Sequence, residues 1–132
     1  MTKSQSIFFS HYLEELFPDA KAELDFTNNF ELLVAVVLSA QTTDIAVNKV
    51  TKNLFHKFPT PSLLANANQE EVENIIKTIG LFKTKAKNII ALSKILVENY
   101  DSIIPRDREA LESLPGVGRK TTNVVLSNAF DI

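Results

Sequence analysis

The chain has 132 residues, 45% hydrophobic and 23% charged, with a formal net charge of −2. That size suits one domain able to bury about two-thirds of the surface its unfolded chain exposes, and the balance excludes a disordered or fibrous chain. The absence of cysteine excludes disulfides, thiolate nucleophiles and Cys-ligated metals within these residues, and the longest apolar run, the seven residues Leu32 to Leu38, falls far short of the roughly 18 a membrane-spanning helix needs.

The first segment, MTKSQSIFF, lacks the apolar core of a signal peptide, so a soluble cytoplasmic protein is the expectation. Residues 5–17 carry Ile7, Phe8, Phe9, Leu13, Leu16 and Phe17 in a helical pattern. Phe30, Leu33, Val34, Val37 and Leu38 then fall at i, i+3, i+4, i+7 and i+8, one apolar stripe, with Asn28 and Glu31 reading as a capping box at its start. Val47, Val50, Leu54 and Phe58 form a second stripe, for which Asp44 is a plausible N-cap. Thr60-Pro61 opens a short helix through Leu64. Asn68 and Glu71 make another box, and Val72, Ile75, Ile76 and Ile79 follow until Gly80 stops the helix. Ala86, Ile89, Ile90, Ser93, Leu96 and Val97 continue the pattern to about Asn99. Pro105 breaks it, Asp107 restarts it, and Leu111 and Leu114 close a short helix at Pro115; the last helix runs from about Arg119 with Val124, Val125 and Phe130 inward. No segment sustains strand alternation, so the expectation is an all-α domain of about seven or eight helices.

Charge is unevenly spread. Residues 1–31 hold six acids against Lys3 and Lys21, whereas Asn74 to Val97 hold five lysines (Lys77, Lys83, Lys85, Lys87, Lys94) and no acid. Such lysines usually form a solvated helix face. Their position beside glycine turns adds a second reading. Ile79-Gly80-Leu81 precedes Lys83 and Lys85, and Pro115-Gly116-Val117-Gly118 precedes Arg119 and Lys120. Both read as helix, tight turn, then basic helix start, which suggests two turns aimed at one anionic ligand.

The second of these turns is the most informative segment. In Leu114-Pro115-Gly116-Val117-Gly118-Arg119-Lys120, two glycines one residue apart let the backbone turn and approach a ligand closely. The first amides of the following helix are unsatisfied within it, and its dipole favours an anion there. A DNA phosphate fits; so does an ordinary helix hairpin with no ligand. His11 and His56 stand far apart with no acid at ligand spacing, so no metal site is expected. Tyr12, Phe8 and Phe9 read as packing residues.

L-P-G-V-G-R-K resembles the helix-hairpin-helix element of the DNA glycosylase superfamily, and the chain as a whole resembles bacterial endonuclease III. The resemblance extends through Phe30-Glu31-Leu32-Leu33, Leu38-Ser39-Ala40-Gln41-Thr42-Thr43-Asp44, Ile76-Lys77-Thr78-Ile79-Gly80-Leu81, Lys85-Ala86-Lys87-Asn88-Ile89-Ile90 and Ala110-Leu111-Glu112, in order and at the family's spacings over most of residues 25–130. It implies a six-helix barrel over residues 25–132 with the hairpin at about 107–130, and an N-terminal helix in residues 1–24. It further implies base excision repair: removal of oxidised pyrimidines from duplex DNA and β-elimination at the abasic site.

By the same resemblance Lys120 is the nucleophile, Gln41 the wedge that fills the gap left by a flipped base, and Leu81 the apolar residue inserted on the opposite strand. Pro115, Gly116, Val117, Gly118, Arg119 and Thr121 would hold the DNA backbone. An extruded base does leave an unstacked void that a side chain can occupy. The plain structural alternatives are a loop amide for Gln41 and a helix-end hydrophobe for Leu81. Asp44 is either an acid near the site or a helix cap, and the cap is the preferred reading. The chemistry needs a neutral amine, whereas free lysine has a pKa of about 10.4. A helix N-terminus contributes only ~0.3–1 kcal/mol against the ammonium, so desolvation by a closed site must supply the rest.

The family's catalytic aspartate and its four iron–sulfur ligands have no counterpart in these 132 residues, and Asp131 precedes the aspartate's motif. The expectation is therefore a fragment or truncated form with little or no activity, carrying no cofactor beyond a monovalent cation the hairpin carbonyls could hold. The N-terminal helix, deprived of its family partner, is expected to shift, repack or mediate self-association. Damaged or abasic duplex DNA is the expected partner and a nucleoid-associated, bacterial-type cytoplasmic location is expected, with no membrane. The rivals are a glycosylase of different base preference, a non-catalytic helix-hairpin-helix DNA-binding module, and a helical interaction domain that never touches DNA.

Overall fold

The computed structural model describes residues 24–130. The expected helix at 5–17, its self-association and Asp131 lie outside the described residues. Seven helices follow in order: α1 (Asn29–Leu38), α2 (Asp44–Lys57), α3 (Pro61–Ala65), α4 (Gln69–Ile76), α5 (Phe82–Asn99), α6 (Arg108–Glu112) and α7 (Arg119–Phe130). There is no strand among the described residues, as the patterning requires, and no described helix is long and apolar enough to cross a membrane.

α1 is the centre. The sequence shows one stripe on it, yet Phe30 and all of Leu32 to Leu38 are buried. A helix apolar all round is one surrounded by other elements, and α1 contacts α2, α5 and α7. α5, the longest helix, lies along α3 and α4 on its other side. Their inner faces, with Leu64, Val72, Ile76, Ile89, Leu92 and Leu96, complete one core together with Leu54 of α2.

The caps are largely those the sequence proposes, with instructive differences. Asn28 accepts from the Glu31 amide at 2.9 Å, but Glu31 Oε1 reaches back to the Thr27 amide and hydroxyl, at 2.8 and 2.9 Å, rather than to Asn28. Thr60 caps α3 through the Leu63 amide at 3.2 Å, with Pro61 at its start. Asn68 caps α4, whereas Glu71 pairs with Lys57 of α2 instead of closing the box. Two expectations are corrected. Asp44 is not the cap of α2: Thr43 is, accepting from the Ala46 amide at 3.2 Å, and Asp44 is the first helical residue. Gly80 does not stop α4, which already ends at Ile76; the left-handed residue of that turn is Leu81, at φ 58°.

Candidate functional site

The predicted hairpin is present, and both of its arms are fastened. Asp107 caps α6 through the Ala110 amide at 2.9 Å. Arg108 Nη1 donates to Asn123 Oδ1 of α7 at 2.7 Å, and the Arg106 guanidinium sits 5.7 Å from the Phe130 ring centre. Between the arms, Leu114 and Val117 are buried, pinning the turn to the core. Val117 therefore anchors the turn through its side chain, which leaves the hairpin backbone as the part of this residue that a DNA strand would meet.

The two glycines have different work. Gly116 is left-handed at φ +79°, and a Cβ on it would meet Asn88 Cβ and Nδ2 of α5 at 3.0 Å. The turn lies that close to α5. Gly118 has ordinary backbone and nothing within 4 Å of a Cβ position. Its bare face is exposed at the start of α7, where the amides of the first turn have no acceptor within the helix. Thr122, whose amide closes that turn onto the Gly118 carbonyl at 2.9 Å, carries a buried hydroxyl with no partner among the described residues.

From α7 the exposed Lys120 borders a cleft of about 380 Å³, within the range of small-molecule sites. Thr121 and Val124 line the same wall; Val36, Ser39, Ala40, Gln41 and Asp44 line the other, with Leu24 at the edge. The structure thus brings Lys120, Thr121, Gln41 and Asp44 together although nearly eighty positions separate them in the chain. Asp44, the first residue of α2, lines this cleft. Leu81 is not. It stands 57% exposed in the next turn, but that turn abuts the first: a Cβ on Gly80 would lie 3.8 Å from both the Gln41 carbonyl and Thr42 Oγ1. Gln41 is itself exposed and left-handed at φ 57°. Pro115 is half-buried and Arg119 exposed on the same hairpin.

One residue was misread from sequence. Lys77, Lys83, Lys87 and Lys94 are exposed as a basic face should be, but Lys85 is 4% exposed. Its Nζ donates to the Ala40 carbonyl at 2.7 Å and to Thr42 Oγ1 at 2.9 Å. Burial pushes its ammonium below the ordinary lysine value. The signal was available: Lys85, Ile89, Leu92 and Leu96 fall at i, i+4, i+7 and i+11, on the buried face of α5.

For an iron–sulfur cluster the residues do not fit: the chain has no cysteine, and no three potential metal-ligating side chains gather among the described residues.

Residues 34–126 match the HhH-GPD superfamily base excision DNA repair protein profile. The endonuclease III of Rickettsia conorii is 56% identical over 113 residues, covering 86% of this chain and 54% of that protein. Among solved structures, a non-covalent endonuclease III–DNA complex superposes on 100% of this chain and 62% of its own, with TM-score 0.82 and 51% identity. A trapped endonuclease III–DNA covalent intermediate, an estranged-adenine complex, matches with the same values. The chain thus spans little more than half of the curated relative it resembles.

Proposed function

The chain belongs to the HhH-GPD superfamily of base excision DNA repair proteins, and from that premise we propose that the protein is a DNA glycosylase and abasic-site lyase of the endonuclease III type, acting on oxidised pyrimidines in duplex DNA. One observation carries the reading: Lys120, at the start of the helix that follows a glycine hairpin, shares a cleft with Gln41 and Asp44.

In this reading the Lys120 amine attacks C1′ of the damaged nucleotide and the base leaves. The C1′–O4′ bond then opens, O4′ taking a proton, to give a protonated Schiff base. This acidifies C2′, whose proton passes to solvent as the C3′–O bond breaks, so the 3′ phosphate departs by β-elimination and the strand is nicked. The hairpin holds the duplex. Gly118 lets a phosphate reach the α7 amides without meeting a side chain, the helix dipole adds about 0.3–1 kcal/mol, and Arg119 adds charge. Gln41 and Leu81, exposed on adjoining turns, fill the space of the extruded base from two sides. Thr121 and Asp44 shape the cleft wall. Residues 25–132 act as the barrel unit, and bacterial chromosomal DNA is the partner.

The specific rival is a hairpin module that grips DNA without chemistry. Strand nicking on a duplex with one abasic site separates them. Slow nicking that Lys120→Ala abolishes while salt-sensitive binding persists supports the enzyme; equal nicking by both proteins refutes it.

A further inference from the structure

Three turns of this fold converge on the first two turns of α5. Leu81, Lys85 and Asn88 occupy positions i, i+4 and i+7 of that helix, one above another on one face. Leu81 is the exposed left-handed residue that opens the helix. Asn88 is the surface against which the left-handed Gly116 of the hairpin rests. Lys85 lies between them, and its buried Nζ spans Gln41 by donating to the residues on either side of it, Ala40 through the carbonyl and Thr42 through the hydroxyl.

That arrangement is more than a satisfied lysine. Gln41 is held in a left-handed conformation that a residue with a Cβ adopts only under constraint. Its neighbours on both sides are tied to a single charged donor, and such charge-assisted bonds are the strong ones. Leu81, likewise exposed and left-handed, begins the very helix that carries the donor. We propose that Lys85 is a positioning residue, which fixes the Gln41 turn to the Leu81 turn so that both side chains enter the duplex at a set separation. This rests on the reading of Gln41 and Leu81 as inserted residues. Lys85 itself touches neither the DNA nor the reacting atoms.

The test uses the whole chain with Lys85→Met, which keeps the length and apolar stem of the buried side chain, and Thr42→Val, which removes one acceptor and leaves the lysine. Two quantities are read by fluorescence anisotropy: affinity for undamaged duplex, and the ratio of affinities for abasic-site over undamaged duplex. A residue that only supports the fold would lower both affinities together and leave their ratio unchanged. Lys85→Met is expected to leave the undamaged-duplex affinity and its salt slope unchanged while the ratio falls about tenfold or more, the scale of losing a hydrogen bond from a charged donor. Thr42→Val is expected to lower the ratio in the same direction by less. Should Lys85→Met fail to fold, Thr42→Val decides alone. Wild-type preference that survives undiminished in the folded variants overturns this proposal and leaves the functional reading standing. A wild-type chain with no preference for the abasic duplex overturns both.

Discussion

Gly116→Ala is the perturbation whose consequence the structure fixes most closely. The residue sits at φ +79°, where a side chain is strained by about 1–2 kcal/mol. Its new Cβ would also stand 3.0 Å from Asn88 Cβ and Nδ2 and 3.3 Å from Cγ. Two of those atoms belong to the root of a half-buried side chain of α5, so the hairpin must move; overpacking of that kind costs about 1–3 kcal/mol. Restricting the unfolded chain returns about 0.4–1 kcal/mol. The net loss is about 1–5 kcal/mol, read by urea unfolding or as a melting temperature lower by about 4 °C per kcal/mol for a domain of this size. The two contributions separate in a cycle with Asn88→Gly, which removes the side chain that the new methyl would meet, at about 0.3 kcal/mol of helix propensity. In that background the cost of Gly116→Ala should shrink to the backbone strain alone. Equal cost in both backgrounds, or a Gly116→Ala chain as stable as the parent, would refute the account of this turn.

Gly118→Ala meets open space, so its stability should stay within about 0.5 kcal/mol while duplex affinity falls, measured by unfolding and anisotropy on the same sample. Thr122→Val replaces a buried hydroxyl that lacks a partner and should be neutral or stabilising by up to about 1–2 kcal/mol in urea unfolding; a clear loss would mean that the hydroxyl has a partner after all. Leu33→Ala empties a fully buried position on α1 and should cost about 2–5 kcal/mol. For Lys85 the folded state holds the ammonium less readily than the unfolded chain does. The unfolded state therefore keeps more protons as pH rises from the folded-state pKa towards the ordinary value, and this group's contribution to stability should increase across that alkaline window and be flat below it. Unfolding of the parent and Lys85→Met over a pH series measures the difference; a contribution that falls as pH rises there contradicts the sign.

Much of the helix order was legible because capping residues and apolar periods are local. Asn28, Thr60 and Asn68 cap the helices they precede in sequence, and the start of α7 at Arg119 follows directly from the hairpin pattern. What sequence reasoning missed is set by contacts between distant segments. α1 is buried all round because helices on several sides cover it, and no single stripe records that. Thr43 rather than Asp44 caps α2 because both residue types can serve and the pattern fixes the start only to within one residue. Lys85 was placed with its exposed neighbours because lysine is rarely buried without a partner, and its partners, Ala40 and Thr42, lie more than forty residues away.

The central claim is that Lys120 is the nucleophile of a cleft it shares with Gln41 and Asp44. Borohydride reduction of the chain mixed with a duplex bearing one abasic site, followed by peptide mapping of the cross-linked residue, tests it most directly, because imine formation on a pre-formed abasic site needs only the amine. The account predicts one covalent protein–DNA adduct, mapped to Lys120 and absent in Lys120→Ala. An adduct that maps to another lysine, or none while salt-sensitive duplex binding persists, would contradict it.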